Sequence, residues 1–304
     1  MQRIVSFLPS ATELVYELGL GDTLFGVTHE CEFPEDAKRK PRVIDTIIDS
    51  KNLSSGEIDK TTCKLLNEGK DIFILNEKNL RDAKPDVIIS QETCEVCAAH
   101  TNQVSRAVQI LHKKPSVYSM DPHNMKEILT TVIEIGKVLG KEKKAKEIHE
   151  KLRDRITNIS TNLPERKPKV LAIEWLDPFF TAGHWVPEMI DLAGGVNLLS
   201  QKGEHSRRMT IYEIQKADPE IIILMPCGFD VKRTAKEYNE LLKKNQNWSN
   251  LQAVKNGKIF AVDANSYFSK PSIRTITGLE ILAKIIHKES FENLKIPKNS
   301  FVKF

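Results

Sequence analysis

The amino-acid sequence predicts a two-lobed α/β protein with mainly parallel sheets, the lobes joined by one long helix. Three observations lead there. The chain has 304 residues, beyond the size at which a single hydrophobic core usually stops growing. Short β-rich runs alternate with helical segments in each half, the βαβ pattern of a parallel sheet. Between the halves lies a stretch, Asn124 to Ser160, whose apolar residues Met125, Ile128, Leu129, Val132, Ile135, Val138 and Leu139 recur at helical spacing.

The elements follow in order. In residues 1–122 the runs Ile4–Leu8, Ala11–Leu18, Leu24–Thr28, Leu75–Ala83, Asp86–Ser90, Asn102–Leu111 and Ser116–Ser119 alternate. Residues 123–162 form the bridging helix, with Gly140 as its candidate break point. Pro164 to Lys169, dense in proline and charge, is a connector. The second lobe covers 168–290, starting at Val170–Glu174, and residues 291–304 are left as a tail. The halves echo each other: Lys84-Pro85-Asp86-Val87-Ile88-Ile89 against Asp218-Pro219-Glu220-Ile221-Ile222-Ile223, each after a helix and opening a strand.

Composition excludes several classes. Hydrophobic residues make up 40% and charged residues 28%, a balance typical of globular proteins, and no apolar run approaches the roughly 20 residues of a membrane span. A net charge of +4, without a basic stripe interleaved with aromatics, argues against nucleic-acid binding. Met1-Gln2-Arg3 runs directly into the first strand, so the expectation is a cytoplasmic protein, or an extracytoplasmic one if a leader has been removed. The five cysteines, Cys31, Cys63, Cys94, Cys97 and Cys227, are odd in number and irregular in spacing, which suits reduced thiols.

In parallel sheets ligands sit beyond the carboxyl ends of the strands, and the unusual residues fall there. Pro9-Ser10-Ala11-Thr12-Glu13 follows the first strand as a helix start that Ser10 or Thr12 could cap. His29-Glu30-Cys31 follows the second, and Cys94 and Cys97 follow Asp86–Ser90. His29, Cys31, Cys94 and Cys97 together would make a tetrahedral set suited to zinc or an iron–sulfur centre; the other reading of this Cys-x-x-Cys is packing. In the second half, Asp177 to Trp185 is too aromatic for an ordinary loop, with His184 either a structural loop residue or a ligand contact. Met225-Pro226-Cys227-Gly228-Phe229 and Asp263 to Phe268 end the later strands. Arg207 and Arg208 offer paired guanidinium forks for an oxyanion, or else a solvated turn. Cys63 lies in a Lys/Thr/Leu context without partners. No Ser/His/Asp order, Walker loop or Gly-x-Gly-x-x-Gly occurs.

Arg3-Ile4-Val5-Ser6-Phe7-Leu8-Pro9-Ser10-Ala11-Thr12-Glu13 resembles the opening of helix-backbone (class III) solute-binding proteins for cobalamin, haem and ferric siderophores. His29 to Pro34, the Cys94–Cys97 loop, Glu174 to Pro178, Ala182 to Glu188 and Met225 to Phe229 are similar to a subgroup labelled cobalamin-binding. The resemblance covers residues 1 to about 287 and implies two Rossmann-like lobes joined by one long backbone helix. It implies a binder rather than an enzyme: a corrinoid or other metal chelate held between the lobes, serving ABC-type uptake through a membrane permease or intracellular handling. Candidate contacts are Phe7, Pro9, Ser10, Trp175, Phe179, His184, Trp185, Arg207, Arg208, Phe229, Tyr267 and Phe268. The alternative is a metal- or thiol-dependent enzyme or redox protein using a His29, Cys31, Cys94 and Cys97 cluster, with zinc as the candidate metal. Family members that deliver to a permease present a docking glutamate on each lobe; the aligned positions here hold Lys78 and Tyr212, with Glu77 and Glu213 next door.

Overall fold

The computed structural model describes residues 2–92, 101–111 and 113–304. The described residues divide into two compact α/β units, one drawn from Met1–Leu53, Glu57–Pro122 and Glu127–Glu150, the other from Ser54–Gly56, His123–Lys126 and Lys151–Phe304.

The first unit is a six-stranded sheet. Its strands are β1 (Ile4–Ser6), β2 (Leu24–Thr28), β3 (Arg42–Thr46), β4 (Phe73–Leu75), β5 (Val87–Gln91) and β6 (Ser116–Met120), in the order β4-β3-β2-β1-β5-β6. All neighbours are parallel except β3 and β4. β1 and β5 are buried throughout, which is why Ile4-Val5 and Val87-Ile88-Ile89 run apolar without alternation, the buried polar Ser6, Ser90 and Gln91 falling at the strands' carboxyl ends. Val5, Phe7, Val43, Ile44, Leu80, Ile88 and Ala107 form the core over this sheet.

The helices are α1 (Pro9–Glu17), α2 (Ser55–Asn67), α3 (Glu77–Ala83), α4 (Thr101–Ile110), α5 (Met125–Val138) and α6 (Glu142–Thr161). Neither Ser10 nor Thr12 caps α1. The helix starts one step earlier, with extended Leu8 at the cap position and Pro9 at the first turn, where proline's missing N–H costs nothing. The 124–160 stretch is two helices rather than one. Gly140 takes φ +64, a left-handed conformation that is cheap only for glycine, and Lys141 N–H bonds back to the Gly136 carbonyl at 2.6 Å before α6 begins.

The second unit is a mixed, mostly parallel sheet of β7 (Lys169–Leu176), β8 (Phe179–Thr181), β9 (Val196–Asn197), β10 (Ile221–Leu224), β11 (Ile259–Val262) and β12 (Phe301–Lys303), in the order β12-β11-β10-β7-β8 with β9 also on β7. β8 and β12 are antiparallel to their neighbours, so residues 301–303 belong to this sheet rather than to a loose tail. Its further helices include α7 (Val186–Leu192), α8 (Ile211–Ala217) and α9 (Val231–Glu237). Arg155 on α6 makes a two-pronged ion pair with Glu280, at 2.9 and 2.7 Å, on the closing helix Thr275–Ile286.

The sequence echo between the halves is also structural. Lys84 and Asp218 end α3 and α8 in the left-handed conformation, φ 43 and 45. The acidic residue two positions on then accepts the backbone N–H at the start of the unit's first strand: Asp86 from Arg3 and Glu220 from Lys169, both at 3.0 Å. Asp86 and Glu220 in turn donate their own N–H groups to the carbonyls of Arg3 and Lys169.

Candidate functional site

The second unit changes strand order around β7, which pairs with β10 on one side and with β8 and β9 on the other. Loops leaving β7, β10 and β11 therefore converge where an open sheet of this kind takes ligands. Trp175, near the end of β7, is half-buried. Its indole N–H donates to the Ser55 carbonyl at 3.2 Å, and its ring packs at 5.4 Å and 60° on Phe229. The Arg233 guanidinium lies over Phe229, 3.6 Å from the ring centroid, and burial there lowers the arginine pKa below its ordinary value. Glu237, buried on the same helix, accepts the Ser55 N–H at 2.9 Å. Tyr267, after β11, is half-buried with Arg274 5.8 Å from its ring.

Several residues expected to wall a ligand lie inside instead. Phe7 has 0% exposure in the first unit's core, and Pro9 and Ser10 are buried at the start of α1. Trp185, Phe229 and Phe268 are buried, Trp185 donating its indole N–H to the Phe268 carbonyl at 2.9 Å. They brace the loops from behind. Phe179 is stacked on the core residue Trp248 at 5.8 Å and 17°. Arg207 bonds to Glu213 at 2.8 Å and to the Arg208 and Leu199 carbonyls, and the Arg208 guanidinium lies 5.6 Å from the Phe180 ring centroid; both side chains stay exposed. Type alone signalled all of these; burial could not be read from it.

His184 stands in company the sequence did not reveal. It is half-buried, with φ +53, a conformation uncommon outside glycine that tends to be retained at functional positions. Its N–H donates to the Glu204 carbonyl at 2.6 Å and its carbonyl accepts the Gly203 N–H at 3.0 Å. Gly183 N–H is bound by Glu174 Oε2 at 3.1 Å. The two His184 bonds, with that of the Thr181 N–H to the Arg207 carbonyl at 2.9 Å, clasp the 182–185 segment to 203–207. The rings of His123, His184 and His205 meet: 4.8 Å between the centroids of His184 and His205, 5.8 Å between His123 and His184, and 6.1 Å between His123 and His205. Beside them opens a cavity of about 340 Å³ lined by Thr181, Ser200, Gln201, Glu204 and His205 among others.

Of the expected thiol set, the described residues hold only His29 and Cys31. Cys31 is 3% exposed, its Sγ 3.1 Å from Thr12 Oγ1 and 3.3 Å from Thr28 Oγ1, so it packs between α1 and β2. His29 is half-buried, its ring 6.1 Å from Phe73. Cys94 and Cys97 lie outside the described residues. Cys63 sits on α2, and Cys227, half-buried, follows β10.

The two glutamates beside the docking positions are already engaged. Glu77 accepts from Arg106 at 2.9 Å and from Arg81 at 3.1 Å. Glu213 closes the capping box of α8 with Thr210 and pairs with Arg207, while neighbouring Tyr212 is 69% exposed. The Thr210 N–H and then Arg207 hold the Glu213 carboxyl below its ordinary range. A depressed folded-state pKa stabilises above the unfolded value of about 4.3 and is lost as pH falls through the folded one. Melting curves should therefore show Tm dropping below about pH 4.3, less steeply in Glu213→Gln.

Comparison with known proteins agrees with this architecture. The periplasmic binding protein family model matches residues 4–266. The chain is 24% identical over 298 residues to the uncharacterized ABC transporter substrate-binding lipoprotein YvrC of Bacillus subtilis, covering 96% of this chain and 82% of that protein. It is 22% identical over 285 residues to a vitamin B12-binding protein of Vibrio cholerae, covering 92% and 87%. Among solved structures, a periplasmic heme binding protein from Pseudomonas aeruginosa superposes with a TM-score of 0.75 at 16% identity, over 99% of this chain and 97% of that one. With the family model matching most of its length and both sheets built as such a fold requires, this chain belongs to the periplasmic binding protein family.

Proposed function

We propose that the chain is the solute-binding component of an ABC-type uptake system, with a membrane permease as partner, and that its solute is a metal chelate with a broad, flat body, of the corrinoid or haem class. The observation that carries this is the braced aromatic surface at the carboxyl ends of β7 and β11, where Trp175 and Tyr267 remain half-buried while Phe229, Arg233 and Arg274 back them. Rings with one face packed and one open bind flat apolar area without reorganisation. Relatives named as vitamin B12-binding and a structural neighbour named as heme binding support the choice of ligand class.

Calorimetric titration with cyanocobalamin, hydroxocobalamin, cobinamide, haem and a ferric siderophore tests it. Binding of at least one at about 10 μM or tighter is expected, near −7 kcal/mol; failure of all five overturns the chelate reading. Trp175→Ala should weaken that binding about tenfold, the ~1.4 kcal/mol scale of one aromatic contact. Trp175→Phe should retain more of it, because the ring stays and only the N–H to Ser55 is lost.

A further inference from the structure

We propose that His123, His184 and His205 form a binding site for a divalent transition-metal ion, taken up as the free ion. The three come from separate segments: His123 precedes α5, His184 lies between β8 and α7, and His205 lies between β9 and α8. Three of the chain's eight histidines meeting at one place is not what scattered loop residues would do. Neutral imidazole is a ligand suited to zinc, nickel and cobalt.

The spacing fits. With a metal–nitrogen bond of about 2.0–2.1 Å and a centroid roughly 1.1 Å further on, tetrahedral ligation puts imidazole centroids about 5 Å apart. The observed separations are 4.8, 5.8 and 6.1 Å. Among the described residues no group of three ligand side chains yet converges on one point. A shift on the order of 1 Å in the longer two separations would reach the ~5 Å that ligation needs. His123 is common to both longer separations, so rotation of its half-buried side chain closes them together.

The surroundings favour this over accidental packing. The left-handed turn at His184 is fixed by its two backbone bonds to the 203–204 segment, and Trp185 stacks on its ring at 5.6 Å and 30°. His184 is thus positioned in advance, tied to the loop that carries His205. The adjoining cavity of about 340 Å³ gives an ion entry and has room for water, or the Glu204 carboxylate, as a fourth ligand.

Titration of the full-length protein with Co²⁺, read by absorption, tests the site. One equivalent should bind at about 10 μM or tighter, giving visible d–d bands without the near-ultraviolet charge-transfer band of thiolate ligation. Each of His123→Ala, His184→Asn and His205→Ala should weaken binding about tenfold or more, while the Cys94→Ser, Cys97→Ser double variant binds as wild type. Asparagine suits position 184 because it tolerates the left-handed backbone; if that variant melts early, His205→Ala, which alters an exposed side chain, carries the test. No uptake up to about 1 mM, uptake undiminished in the histidine variants, or loss in the cysteine variant would each overturn the proposal. The result is separable from the chelate titrations, which use no free metal ion.

Discussion

Replacing Trp248 by alanine is expected to destabilise the second unit by about 3–5 kcal/mol, the range for truncating a fully buried large aromatic. Trp248 has 0% exposure. Its ring lies between Phe179, 5.8 Å away at 17°, and Tyr238, 6.4 Å away, and Tyr238 stacks in turn on Phe304 at 4.1 Å. Deleting it leaves a cavity shared by the first residue of β8, the segment after α9 and Phe304. At roughly 2–4 °C per kcal/mol for a unit of this size, Tm should fall by about 6–20 °C. Trp248→Phe should cost much less. The Trp248 indole N–H is buried with no hydrogen-bond partner among the described residues, and phenylalanine removes that unsatisfied donor, a penalty of about 1–3 kcal/mol, while keeping a ring in the stack. A scanning calorimetry series of the two variants checks both magnitude and order; equal losses in Ala and Phe would show that the N–H is satisfied after all.

Much of the fold was legible because buried parallel strands leave continuous runs. Ile4-Val5, Val87-Ile88-Ile89 and Ile221-Ile222-Ile223 lie in the middle of their sheets, and no other element produces such short apolar blocks between turns. Not all strands nearer an edge were. β3 and β12 pair on exposed or half-exposed ladders, so their composition mixes Arg, Asp and Lys with Val and Ile and reads as loop. α2 escaped notice for a similar reason: only Ser55 and Gly56 are buried on it, so no apolar stripe marks its period.

The site was less legible than the fold. Aromatic residues at strand ends point to a binding surface, and Trp175 and Tyr267 do remain half-buried there. Yet Phe7, Trp185, Phe229 and Phe268 have the same residue type at the same kind of position and face inward. Whether a ring faces a ligand or a core is settled by the layer behind it, which no local pattern encodes. The histidine cluster shows the same limit from the other side. His184 stood out beside Trp185, but His123 and His205 are 61 residues upstream and 21 downstream of it, and only the folded loops bring them together.

Gly183→Val is expected to take that loop pair apart. A Cβ on Gly183 would meet backbone atoms, Ser206 N at 2.4 Å, Glu204 O at 2.8 Å and His205 C at 2.8 Å, and backbone held by its own hydrogen bonds cannot yield as a side-chain tip can. The 182–185 and 203–207 segments must therefore separate. That sacrifices the 2.6 Å bond from His184 N–H to Glu204 and the 3.0 Å bond from Gly203 N–H to His184, and frees His184 from its left-handed turn. Overpacking of this kind costs about 1–3 kcal/mol, a Tm loss of roughly 2–12 °C, smaller than that of Trp248→Ala. The effect on binding should be larger than the effect on stability. Parting the segments moves His205 away from His184, so the Co²⁺ site should be lost outright while the sheet of the second unit still melts cooperatively. Chelate affinity, resting on Trp175 and Tyr267 outside the clasp, should fall less, by about tenfold at most, or ~1.4 kcal/mol. Tight Co²⁺ binding by Gly183→Val would mean that the clasp is not what holds the imidazoles together, and equal loss of chelate and metal binding would mean that the two sites are one.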